Sequence, residues 1–264
     1  MKKILFTSAI VFIFSLIAFA DFKPEEKPIR GLNLDTAYTL PPGGFDIRLA
    51  LPDISLPISF GVFDGLQITT RSIIWLTQVR VPNLSLKWNL AKETDNMPAF
   101  SIGGSGNWIT VRNLVLNDVS EPYHTIDKIE VFYYNLSGYV SKNFGHLTAS
   151  ASFTYNRANF MIFDEGSDSE TMFNYVYDFL KYYTGVPEPN TMFMASFVLH
   201  YEILQNLRLV AEGMVTLDEP YAYYLAGGLI WALGDNFRID AGIIGIRAAQ
   251  FQTPLPHFGL SLNF

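Results

Sequence analysis

His257-Phe258-Gly259-Leu260-Ser261-Leu262-Asn263-Phe264 alternates without a break. Phe258, Leu260, Leu262 and Phe264 fall on one side of an extended strand. His257, Gly259, Ser261 and Asn263 fall on the other. Successive side chains of a strand point to opposite faces, so period two with one apolar face marks a half-buried strand. The same pattern recurs upstream. Leu207–Leu217 sets Leu207, Leu209, Ala211, Gly213, Val215 and Leu217 against Arg208, Val210, Glu212, Met214 and Thr216. Leu147–Tyr155, Phe193–Ile203 and Asn83–Ala91 repeat it.

Between these segments lie two kinds of connection. Short ones carry the Gly, Asn and Asp of tight hairpins: Phe63-Asp64-Gly65, Lys142-Asn143-Phe144-Gly145, Leu204-Gln205-Asn206 and Gly234-Asp235-Asn236. Long ones are expected over 111–128, 163–190 and 248–255, and the two kinds mostly alternate. Strands are expected at 44–51, 55–62, 66–75, 81–91, 98–110, 129–141, 147–161, 191–203, 207–217, 221–233, 237–247 and 256–264. That makes about 12, or 14 if one of these conceals a further hairpin. A further extended piece, 31–40, precedes Pro41-Pro42-Gly43-Gly44 and lies outside the closed sheet or in its lumen.

The chain has 264 residues, 49% hydrophobic and 16% charged, with no Cys. Disulfides, thiolate metal sites and Cys nucleophiles are therefore excluded. Lys2-Lys3, the apolar run Ile4–Ile17 and Ala18-Phe19-Ala20 have the order of a cleaved signal peptide. The formal charge of −7 falls further when the two leader lysines go, which argues against a nucleic-acid partner. After residue 20 no apolar stretch is long enough for a membrane helix. Export and high apolar content without helical spans point to a transmembrane β-barrel.

The terminal stretch resembles the C-terminal insertion signal of bacterial outer-membrane β-barrel proteins. The resemblance implies an all-β, transmembrane antiparallel barrel in the bacterial outer membrane. It implies that Phe258, Leu260, Leu262 and Phe264 are read by the barrel assembly machinery during insertion. The chain then divides into a signal peptide at 1–20, an N-terminal periplasmic extension at 21–43 and the outer-membrane barrel at 44–264.

Trp88, Trp108, Tyr201, Tyr221, Tyr223, Trp231 and Phe237 lie near strand ends, as interfacial girdles require. The polar parity should face the lumen. It offers Arg48, Arg71, Lys87, Glu202, Arg208, Glu212, Arg238 and Asp240 as pore-lining candidates. Glu202 is expected opposite Arg208 across the 202–208 hairpin. In 163–190, Met172, Phe173, Val176, Phe179, Leu180 and Tyr183 form a helical stripe, so one short helix is expected in an extracellular loop.

Enzymatic constellations are thin. Ser196 and His200 share a face but sit roughly 13 Å apart along one strand. Gly103-Gly104-Ser105-Gly106 lacks the Lys and helix of a phosphate loop. No catalytic set, metal site or cofactor is expected. The partners are outer-membrane lipids and small solutes. The function expected is a porin-like passive channel for small hydrophilic solutes. The alternative is a non-conducting structural or surface-interaction barrel using the 163–190 loop.

Overall fold

The computed structural model describes residues 30–51, 55–73, 79–80, 83–116, 124–163, 191–218, 222–234, 236–248 and 251–263. The leader expected at 1–20, most of the 163–190 loop with its expected helix, Tyr221 and Phe264 lie outside the described residues.

The strands are β1 (Phe45–Leu51), β2 (Ser55–Phe63), β3 (Leu66–Ile73), β4 (Val79–Arg80), β5 (Asn83–Ala91), β6 (Ala99–Leu116) and β7 (His124–Phe144). They continue as β8 (Leu147–Phe163), β9 (Thr191–Leu204), β10 (Leu207–Thr216), β11 (Tyr223–Leu233), β12 (Phe237–Ala248) and β13 (Phe251–Asn263). β4 and β5 share one register against β6, with Arg80 opposite Thr110 and Asn83 opposite Asn107. They are two parts of one wall strand. Neighbouring wall strands pair antiparallel, and β1 pairs with β13 from Asp46↔Asn263 to Leu51↔Phe258. The result is a closed barrel of 12 strands.

The alternation read from the sequence is plain on β5 and β9. On β5, Leu84, Leu86, Trp88 and Leu90 are exposed outward, while Lys87 is buried inward. On β9, Phe197, Leu199, Tyr201 and Ile203 face out while Val198 and His200 are buried. The apolar outer surface suits lipid, and the inner polar groups stay out of it. Aromatic rings stand at two levels. Trp88 and Tyr201 lie near the short-turn ends of their strands. Higher up, Phe132, Tyr134, Tyr155, Phe193 and Phe153 run across β7, β8 and β9, with successive ring centroids 5.2–6.5 Å apart. Tyr201 and Phe193 are eight residues apart, about 26 Å along the strand. A strand tilt of roughly 35–45° reduces that to about 20 Å along the membrane normal, within the apolar band of about 25 Å.

Two boundaries differ from expectation. The expected 111–128 loop is mostly strand, because β6 and β7 stay paired as far as Leu116↔His124. Val111, Val115, Ile126 and Ile129 are β-branched, and a hairpin pairs with itself beyond the bilayer. β13 starts at Phe251, not 256, and runs through Pro254 and Pro256. Those prolines pair with β12 only, since β1 reaches no further than Phe258. A ring without N–H is tolerated on such a one-sided stretch.

The lipid-facing assignment predicts a depth-dependent penalty. Phe197→Arg, midway between the two aromatic levels, should cost about 2–4 kcal/mol. Phe144→Arg, at a short turn, should cost roughly 0–1 kcal/mol. Urea unfolding of protein refolded into lipid vesicles measures both, and equal costs would contradict the placement.

Candidate functional site

The interior is crossed by the chain's own N-terminal segment. Residues 30–40, part of the stretch expected to extend into the periplasm, lie inside the barrel against the inner faces of the wall. Pro41-Pro42-Gly43-Gly44 returns them to β1. There Gly43 N–H donates to Gly61 O at 2.8 Å and Gly61 N–H to Gly44 O at 2.9 Å. A Cβ on Gly61 would come within 2.0 Å of Pro41 O, so the entry depends on glycine.

This strap touches nearly every quarter of the wall. Leu40 N–H donates to Gln67 Oε1 on β3 at 3.1 Å. Ala37 N–H donates to Ser141 Oγ on β7 at 2.8 Å, and its carbonyl accepts from Asn89 Nδ2 and Ser101 Oγ. Lys87 Nζ reaches Thr36 O at 3.4 Å. Tyr38 OH donates to Glu93 Oε2 at 2.7 Å, in the turn between β5 and β6. The far end folds back on itself, with Gly31 N–H donating to Leu34 O at 2.7 Å and Arg30 bridging to Asp35.

Glu212 on β10 holds that end. Its carboxylate accepts from Asn33 N–H at 2.9 Å, from Leu34 N–H at 3.2 Å and from the Tyr224 hydroxyl. Gly31 passes so close that a Cβ would meet Glu212 Oε2 at 2.2 Å and Val198 Cγ1 at 2.8 Å. Leu32 is fully buried against Val198, Val210, Ala226 and Ile244. Burying one leucine contributes about 1.5–3 kcal/mol. Arg30 clamps Asp46 on β1 with both oxygens engaged, at 2.8 and 3.0 Å, and reaches Ser261 Oγ on β13 at 3.0 Å.

Charge inside the barrel is gathered and paired. Arg48 Nη2 lies 2.8 Å from Asp240 Oδ2, and His257 Nε2 lies 2.6 Å from the same oxygen. A Cβ on Gly259 would come within 2.2 Å of that carboxylate, so glycine makes the room. Arg48, Asp240 and Glu212 are thus buried under partners. Glu202 and Arg208 are register partners, as expected, and both are half-buried, as is Arg238. Arg71 lies on β3 with the parity of Gln67 and Thr69, but its side chain is not described. Phe258 and Leu262 are exposed outward and Leu260 shares their face.

A cavity of about 320 Å³ remains above the strap. Asn33, Leu34 and Asp35 form its strap side, and its walls come from β3 and from β5 to β10. Of the eight pore-lining candidates, Lys87 is on its described lining. The rest of that lining is mostly amide and hydroxyl: Asn83, Asn107, Asn135, Asn156, and serines and threonines of β6 to β9. Hydroxyls pair across strands, Ser137 with Thr154 at 2.9 Å and Ser152 with Ser196 at 2.6 Å. Ser196 therefore has a serine partner instead of His200. The neutral lining is legible in the sequence as the polar parity of β5 and β8, and of the charged residues with that parity Lys87 alone is on the described lining.

No family model matches the chain, and no curated protein matches it. Solved structures do. The KdgM porin in complex with disordered oligogalacturonate is 9% identical, with a TM-score of 0.51 over 84% of this chain and 98% of that one. The KdgM porin alone gives 10% and 0.47 over the same shares. The NanC porin gives 8% and 0.41, covering 83% of this chain and 97% of that one. At such identity the likeness is one of fold: a closed antiparallel β-barrel.

Proposed function

We propose that this chain is a porin-like passive channel for small hydrophilic solutes, with its lumen narrowed by the strap. The observation that carries the reading is the polar cavity above residues 33–35, held open inside an apolar-walled barrel. A barrel with only a structural role has no need of an unfilled polar interior. Solutes diffuse through hydrated space, and selectivity follows from inward groups. Lys87, Arg71, Glu202, Arg208 and Arg238 act on solutes directly. Arg48, Asp240 and Glu212 act by holding the wall and the strap. The chain carries no catalysis. The barrel assembly machinery reads Phe258, Leu260, Leu262 and Phe264.

The strap itself favours a second reading, in which the barrel is closed at rest. Planar-bilayer recording separates the two. Removal of residues 21–40 should raise single-channel conductance severalfold over the full mature chain. A silent full chain with a conducting truncation makes the strap a closed gate. Silence in both overturns the channel reading.

A single substitution tests the same point with the wall intact. Gly31→Leu drives a side chain into Glu212 and Val198. It should shift conductance in the direction of the truncation, by a smaller factor, while heat-modifiable migration on gels stays unchanged. Unaltered conductance would show that the strap does not limit passage.

A further inference from the structure

We infer that the cavity above the strap is a binding subsite for a small uncharged, polyhydroxylated solute, an inference that rests on the channel reading and deepens it. The lining is nearly neutral as a matter of composition. Among its described residues the charged ones are Asp35 and Lys87, one of each sign, and Lys87 already reaches the strap carbonyl of Thr36. An anion or a cation entering this space would lose hydration and meet a single group of opposite sign, Lys87 or Asp35, beside one of like sign. A polyol loses much less, because each of its hydroxyls can exchange water for an amide or hydroxyl of the wall.

The donor set fits that exchange. Asn83, Asn107, Asn135 and Asn156 project from four neighbouring wall strands, β5 to β8. Asn83 donates to Asn107, and Asn156 accepts from the Tyr133 hydroxyl and donates to Met192 O at 3.3 Å. A side-chain amide has two donors and an acceptor with two lone pairs, so a solute meets the hydrogens and lone pairs these bonds leave over. A sugar-like hydroxyl also donates and accepts at one atom, so amides and hydroxyls can meet it in either sense. Tyr133 and Tyr139 stand on β7 among these amides and add ring surface for the apolar C–H face of such a solute. The charged pairs sit elsewhere: Arg48, Asp240 and His257 lie on β1, β12 and β13, outside the described lining. The volume of about 320 Å³ falls at the low end of small-molecule sites, which suits one or two hexose units.

The test uses the mature chain folded in a detergent without sugar headgroups, so that binding is read without conduction. Saturation-transfer NMR is recorded with glucose, with gluconate as the anionic counterpart and with glycine as a zwitterion. Glucose should give a signal at millimolar concentration, at least fivefold above gluconate and glycine. Asn135→Val and Thr154→Val take polar groups from the cavity and leave a β-branched residue, well suited to a strand, at each position. Each should cut the glucose signal severalfold with the far-UV spectrum and gel mobility of the folded barrel unchanged. Gluconate or glycine binding as well as glucose overturns the inference. So does a glucose signal that both folded variants retain. Glucose binding by a protein that never conducts would leave the subsite standing and remove the channel reading alone.

Discussion

A chain that crosses hydrocarbon by strands must pair every backbone N–H and C=O with another strand, because lipid offers no replacement partner. Here that requirement is met at the seam where β1 pairs with β13, from Asp46↔Asn263 to Leu51↔Phe258. The seam joins strands at opposite ends of the sequence, and side chains brace it from within. Arg48 of β1 meets Asp240 of β12 and His257 of β13. Just below, Arg30 ties Asp46 of β1 to Ser261 of β13. The strap's leading end is therefore part of the closure as well as an obstruction of the lumen.

Closure dictates the two faces. With no edge left, each strand puts apolar side chains into lipid and sends the alternate set inward. An inward set of charges is costly unless it is paired or wet. This barrel divides the problem. Around the seam and on β10, charges are bound to one another or to strap backbone. From β5 to β9 the inward groups are mostly amides and hydroxyls, which tolerate an open space. The interior is filled on one side and hollow on the other, and the strap runs along the boundary.

Much of this was legible in the sequence because the period of a strand is fixed by its geometry. The alternation of Leu207–Leu217 or Asn83–Ala91 needed no partner to be read, and faces followed from it. Glu212, Arg48 and Asp240 were recognisable as inward for the same reason. What they bind was not, since Glu212 lies 179 residues from Asn33 and Asp240 lies 192 from Arg48. The strap does alternate, with Leu32, Leu34, Tyr38 and Leu40 on one parity and Asn33, Asp35 and Thr39 on the other, but nothing in that pattern names the distant partners that bury it. A signal did exist. On β11 and β12 the inward residues Ala226, Ile230, Ile244 and Ile246 are apolar, although their neighbours Leu225, Leu229 and Ile243 face outward. A strand apolar on both faces is at odds with a water-filled lumen. It implies a covering group, which Leu32 and Leu34 supply.

The covering group also sets the charge of the space it leaves. While the strap is docked, Arg30 neutralises Asp46, and two backbone amides and a tyrosine hydroxyl satisfy Glu212. The remaining cavity then presents a neutral wall. Undocking would take away Arg30 and those amides together, leaving Asp46 and Glu212 facing water while Arg48 and Asp240 still neutralise each other. The widened lumen would then present those two carboxylates alongside the inward Lys87, Arg208 and Arg238, a wall of both signs. Width and selectivity are thus coupled through one segment. On the proposed channel reading, a solute meets the polar cavity while the strap is docked, and Asp46 and Glu212 come into its path only when the strap has gone.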